Sequence, residues 1–102
     1  MSPEEAIAVV ESFWDLPEGG LVRLRDGHYQ PGLGEELADV LLSIAVDEAG
    51  VLPRRLVSLT WMIPTFMEWQ VERVEELGAD PEALKRDITI VRNALDRFLG
   101  IP

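Results

Sequence analysis

Between Leu56 and Val71 the only polar residues are Ser58, Thr60, Thr65, Glu68 and Gln70, so apolar side chains fall on nearly every face of a helix built there. A helix that is apolar all round has to be surrounded by other elements, which makes this segment the predicted centre of a helical fold. Pro64 interrupts it. Proline removes one helical N–H, frees the carbonyl of Thr60 and restricts Ile63, so a kink or a break is expected there. Leu52, Leu56, Leu59, Ile63, Phe66, Val74 and Leu77 recur at helical spacing as one inner stripe, while Trp61, Met62, Met67 and Trp69 point to other sectors. Those four either complete the core or form an aromatic and methionine patch of the kind that interfaces favour.

The rest of the chain supplies what could surround such a helix. Ser2-Pro3-Glu4-Glu5 reads as a capping box with proline at the first helical position, and Pro17-Glu18-Gly19-Gly20 ends the element, predicting a first helix over 3–16. In "LVRLRDGHYQP", Asp26-Gly27 between alternating residues predicts a two-residue hairpin turn, with Val22, Leu24 and Tyr29 on one face and Arg23, Arg25, His28 and Gln30 on the other. Leu37, Val40, Leu41 and Ile44 draw the apolar stripe of a second helix that Gly50 closes. A third helix is predicted over 53–77 with Gly78 closing it. Asp80-Pro81 then starts a fourth, whose seam is Leu84, Ile88, Val91, Leu95 and Phe98. The predicted fold is mostly α: a single domain over 1–102, a compact four-helix bundle-like arrangement with one small β-hairpin between helices 1 and 2.

Charge is distributed unevenly. The 102 residues carry a net charge of −10. Residues 1–50 hold 11 acids against Arg23 and Arg25, whereas residues 51–102 hold 8 acids against 7 bases. Glu4, Glu11 and Asp15 follow one face of the first helix; Glu35, Asp39 and Asp47, with Glu36 beside them, follow the second. Neither helix contains Lys or Arg to form the i,i+4 pairs that ordinary solvated helices use. Such a surface repels phosphate backbones, so direct nucleic-acid binding is not expected, and it attracts basic proteins. The longest uncharged run, 56–67, is too short to cross a bilayer, and the acidic start does not resemble an export signal. A soluble, cytoplasmic protein without membrane contact is the expectation.

Chemistry-bearing constellations are sparse. The absence of cysteine closes disulfide, thiolate-metal and thiol-nucleophile chemistry. His28 is the sole histidine, and it lacks the adjacent nucleophile and orienting group that general-base catalysis needs. Arg23, Arg25 and His28 together could form a small anion-binding spot. Gly32-x-Gly34 before a helix lacks the strand and the Lys-Ser/Thr of a phosphate loop. No polar anchor cluster adjoins the Trp61–Trp69 stretch, so no cofactor is expected there, and no catalytic or metal-ligating residue is assigned.

One short motif has a family likeness. "EELADVL", residues 35–41, resembles the second acidic motif, Glu-x-x-Asp, of the all-α MazG-type nucleotide pyrophosphohydrolases. The resemblance implies that Glu36 and Asp39 would hold Mg²⁺ at the phosphates of a nucleotide. That family pairs this motif with a Glu-x-x-Glu on a preceding helix; the nearest counterpart here, Asp15-x-x-Glu18, runs into Pro17 and a double-glycine turn.

The residues favour a non-enzymatic interaction module. The acidic faces, Glu11, Asp15, Glu35, Glu36, Asp39 and Asp47, would steer a basic protein partner, and the apolar overflow at Trp61, Met62 and Trp69 would anchor it, much as immunity proteins and antitoxins neutralise toxins. A self-associating homodimer using the Trp and Met sectors is the second expectation, and a Mg²⁺-dependent MazG-type enzyme the third.

Overall fold

Ser2 begins the first helix as its spacing predicts: its hydroxyl accepts from the Glu5 N–H at 3.1 Å and the Glu5 carboxylate accepts from the Ser2 N–H at 3.2 Å. The computed structural model describes residues 1–47 and 49–102. Among them run α1 (Pro3–Asp15), α2 (Gly20–Arg25), α3 (Leu33–Leu42), α4 (Arg54–Trp61), α5 (Ile63–Trp69), α6 (Val71–Glu76) and α7 (Pro81–Leu99). There is no strand among the described residues. The class is all-α, and single residues separate α4, α5 and α6, so those three make one segmented rod. None of these helices is long and apolar enough to cross a membrane.

The predicted β-hairpin is a helix instead. Leu21 and Leu24, three residues apart, are both completely buried, and an alternating strand would place them on opposite faces. The Asp26-Gly27 pair that suggested a hairpin turn serves as a helix stop. Gly27, at φ 88°, donates to the Leu24 carbonyl at 3.0 Å, and His28 N–H reaches back to Arg23 at 2.8 Å. This is a Schellman cap, and it needs the same left-handed glycine that a type I′ turn needs. Arg73 of α6 donates to the Arg25 carbonyl at 2.9 Å and satisfies another exposed acceptor of α2.

The second helix is shorter than its apolar pattern predicts, ending at Leu42 and not at Gly50. Met1 takes the places of helical partners here: its amino group donates to the Ser43 carbonyl at 2.8 Å and its carbonyl accepts from the Ala45 N–H at 2.8 Å, so the ladder stops after the bonds of Ser43 to Asp39 and of Ile44 to Leu41. The third helix breaks at Met62 and again at Gln70. Pro64 occupies the first turn of α5, where its missing N–H has no intrahelical acceptor to serve. The Trp14 indole donates to the Leu59 carbonyl at 2.8 Å, just before that break.

Each break turns the side chains out of a single helical register. Leu56, Leu59, Ile63 and Val74 of the predicted stripe are buried, but Leu77 is 59% exposed, and Met67, expected to point elsewhere, is fully buried. α7 keeps one register over 19 residues. Its whole predicted seam, Leu84, Ile88, Val91, Leu95 and Phe98, is buried, and it packs against α3, α5 and α6. The contact with α3 is the most extensive in the molecule. There Gly34 lies so close that a Cβ on it would stand 2.5 Å from the Asp87 Cα and carbonyl oxygen.

Backbone cannot yield as a flexible side chain can. Gly34→Ala is therefore expected to lower stability by about 1–3 kcal/mol, whereas glycine to alanine within a helix ordinarily gains about 0.5–1 kcal/mol. Urea unfolding followed by tryptophan fluorescence measures the difference, and a midpoint equal to or above that of the parent chain would contradict the close crossing.

Candidate protein-interaction surfaces

α1 and α3 are amphipathic, and their packing turns the acids outward. In α1, Ala6, Val10 and Phe13 are buried, while Glu4 and Asp15 are exposed and Glu11 is half-buried. In α3, Leu37, Ala38 and Leu41 are buried, and Glu35, Glu36 and Asp39 are exposed. Asp47 is exposed beyond the end of α3. Spacings of four and three residues align Glu35, Asp39 and Leu42 along one stripe. Glu5 belongs to none of these stripes: the Ser2 hydroxyl, and then the Ser2 N–H, hold its carboxyl below the usual glutamate range.

Four ion pairs form among the described residues: Arg25–Asp26, Arg55–Glu11, Lys85–Glu82 and Arg92–Glu68. Only Arg55–Glu11, at 3.1 Å, reaches an acid of α1 or α3. The opposite half of the chain thus neutralises one carboxylate of that surface and leaves Glu4, Asp15, Glu35, Glu36, Asp39 and Asp47 without an ion-pair partner among the described residues. On α7, Glu82 pairs with Lys85, and Arg92 pairs with Glu68 of α5.

The aromatic set lies apart from α3. Trp61 is 56% exposed and lines a groove of about 310 Å³ with Pro64, Arg92, Leu95, Asp96 and Leu99. Trp69 is 64% exposed, Met62 is half-buried, and Met67 belongs to the core. Sequence reasoning overlooked apolar residues nearer the acids: Leu16, Leu42 and Val46 are all exposed. Leu16 adjoins Asp15, Leu42 continues the Glu35–Asp39 stripe, and Val46 precedes Asp47. Leu16 and Val46 fall in stretches predicted as helix that the structure ends earlier, and Leu42 is the last residue of α3.

Between α2 and the start of α3 lies a cleft of about 390 Å³, lined by Glu18, Arg23, His28, Gln30 and Glu36 among others. Arg25 does not line it. The predicted anion spot therefore loses one cation and gains two facing carboxylates. Glu18 and Glu36 also share the adjoining groove with Phe13 and Leu16, so the turn after α1 and the first turn of α3 present these two acids together. Asp15 is the last residue of α1, and Asp15-x-x-Glu18 thus leaves the helix before its second acid. Among the described residues no three His, Asp or Glu side chains converge to hold a metal ion. Compared with known proteins, the chain matches no family model, no curated protein and no solved structure.

One buried polar group supports this region from behind. Asp87 of α7 is 4% exposed, and its Oδ2 accepts from the Tyr29 hydroxyl at 2.5 Å and from the Gly32 N–H at 3.3 Å. It pins the loop that carries the chain from α2 to α3. The signal was an acid three residues after Leu84 and four before Val91, inside the apolar seam. Burial first, and then the hydrogen bond to Asp87, push the Tyr29 hydroxyl well above the usual tyrosine range.

The sign of the pH effect follows. Above about pH 10 an unfolded tyrosine loses a proton that the folded chain retains, so the contribution of Tyr29 to stability is full below that pH and is lost as pH rises beyond it. Tyr29→Phe should flatten this alkaline limb while lowering stability at pH 7 by about 1.5–3 kcal/mol, because a charged acceptor loses its donor. Denaturant midpoints from pH 7 to 11 for both chains check the prediction; parallel curves would contradict it.

Proposed function

We propose that this protein is a non-enzymatic interaction module whose acidic surface, carried by α1 and α3, docks a cationic protein. The supporting observation is that the only ion pair reaching an acid of α1 or α3 among the described residues is Arg55–Glu11. Uncompensated carboxylates raise the local concentration of a positively charged partner and speed encounter, and desolvated apolar contacts then slow its release. Glu35, Glu36, Asp39 and Asp47 steer, with Asp15 on the neighbouring helix, where Glu11 contributes as the acid already paired with Arg55. Leu16, Leu42 and Val46 are the apolar contacts closest in sequence to them. Trp61, Met62 and Trp69 add a second sticky surface, beside α7 at Trp61. Neutralisation of a basic protein, in the manner of an immunity protein or antitoxin, is the role such a surface suits.

The test is electrostatic. The immobilised chain, exposed to extract of its native source at about 0.05 M salt, should retain a basic protein that elutes as salt approaches about 0.5 M, where the screening length falls to a few ångströms. The charge reversal Glu35→Lys, Glu36→Lys, Asp39→Lys, Asp47→Lys should weaken that binding at least tenfold without lowering the melting temperature. If no basic protein is retained, or if the reversed chain keeps the same partner at the same salt, the proposal fails.

A further inference from the structure

The Trp61 groove is a different kind of surface from the acidic stripes, and its surroundings select a different occupant. It combines a 56%-exposed indole with Pro64, Leu95 and Leu99, and its charged rim holds Arg92 and Asp96. All of these belong to residues 51–102, whose acids and bases nearly cancel, whereas residues 1–50 carry almost the entire net charge. A cationic protein drawn by the first half gains little at such a rim. Two copies of a chain with net charge −10 repel wherever their acidic faces approach, whereas the lining of this groove holds one cation, Arg92, and one acid, Asp96.

We infer that this groove seats a second copy of the chain, two molecules meeting through α7 and the junction of α4 with α5 about a twofold axis. In a twofold contact each patch meets itself, so it must be self-complementary. Arg92 and Asp96, one helical turn apart on the same helix, satisfy that condition: across the axis the guanidinium of one copy faces the carboxylate of the other, twice. Trp61 of each copy supplies the apolar anchor, since a tryptophan at the centre of a contact excludes water from a large area. Arg92 also pairs with Glu68 in the single chain, so the guanidinium is held at the groove before association.

This inference stands apart from the docking of a cationic protein, and salt separates the two. Raising ionic strength screens repulsion between like-charged copies and should strengthen self-association, while it weakens attraction to a basic partner. Sedimentation equilibrium between about 5 and 500 µM, at about 0.05 and 0.5 M salt, should show the mass rising from 11.4 kDa toward twice that value, and further at the higher salt. Trp61→Glu should stay monomeric at every concentration while melting within a few degrees of the parent, because the indole is exposed. Arg92→Asp and Asp96→Arg should each lose self-association alone, and an equimolar mixture of the two should recover it. A mass that stays at 11.4 kDa throughout overturns the inference. So does a Trp61→Glu chain that associates like the parent, or a mixture that fails to recover.

Discussion

The crossing of α3 on α7 is the contact around which the remainder of the molecule is arranged. It is the most extensive pairing of elements, and it is closest where Gly34 meets the Asp87 backbone. A glycine there removes the side chain that would hold two helices at the usual 8–10 Å axial separation. The same α7 residue turns its carboxylate to Tyr29 and Gly32, so one position sets both the helix spacing and the path of the loop entering α3. A buried carboxylate is tolerated because both donors reach it; left unpaired it would be strongly destabilising. Since the loop is fixed, the first turn of α3 is fixed, and with it the placement of Glu35 and Glu36.

The segmented rod of α4, α5 and α6 is where sequence and packing interact most closely. An uninterrupted helix of that composition would need neighbours on every side, and a chain of this length has few to give. The breaks at Met62 and Gln70 divide the problem. Each segment turns its own apolar side inward, which buries Met67 beside Ile63 and Val74 in one core, and the residues left over at the segment ends, Trp61 and Trp69, remain in solvent. Trp14 of α1 supports the first break with a hydrogen bond to Leu59 and an edge-on contact with Phe66 at 4.9 Å. Exposed tryptophan is thus a by-product of how the rod fits its neighbours, and it leaves an apolar surface beside α7.

Separation of charge along the chain becomes separation in space only because α1 and α3 bury their apolar stripes. Neither helix bears a cation, and among the described residues Lys85 pairs with Glu82 and Arg92 with Glu68, both within the second half, while Arg73 reaches only a carbonyl of the first half, that of Arg25. Arg55, paired with Glu11, is the one cation that forms an ion pair with an acid of α1 or α3 among the described residues. Among the described residues the acids of α1 and α3 therefore stay on the outside of the molecule, all but Glu11 without an ion-pair partner.

Features governed by residues within about five positions of one another were legible from the amino acids. The Ser2 capping box, the Asp80-Pro81 start, the Gly78 stop and the seam of α7 each depend on local hydrogen bonds or on a single helical period, and the acidic stripes of α1 and α3 follow from the same periodicity. Asp26-Gly27 marks the limit of that reasoning: a left-handed glycine suits both a hairpin turn and a helix cap, and the burial of Leu21 and Leu24 chose between them. Contacts between distant residues decided the rest. Met1 bonds to residues 43 and 45 where the ladder of α3 stops, Tyr29 reaches Asp87 from 58 positions away, and the twists at Met62 and Gln70 set which of Leu77, Met67 and Trp61 faces water. No local pattern encodes these outcomes, because each depends on which partner the completed packing brings within hydrogen-bond or van der Waals range.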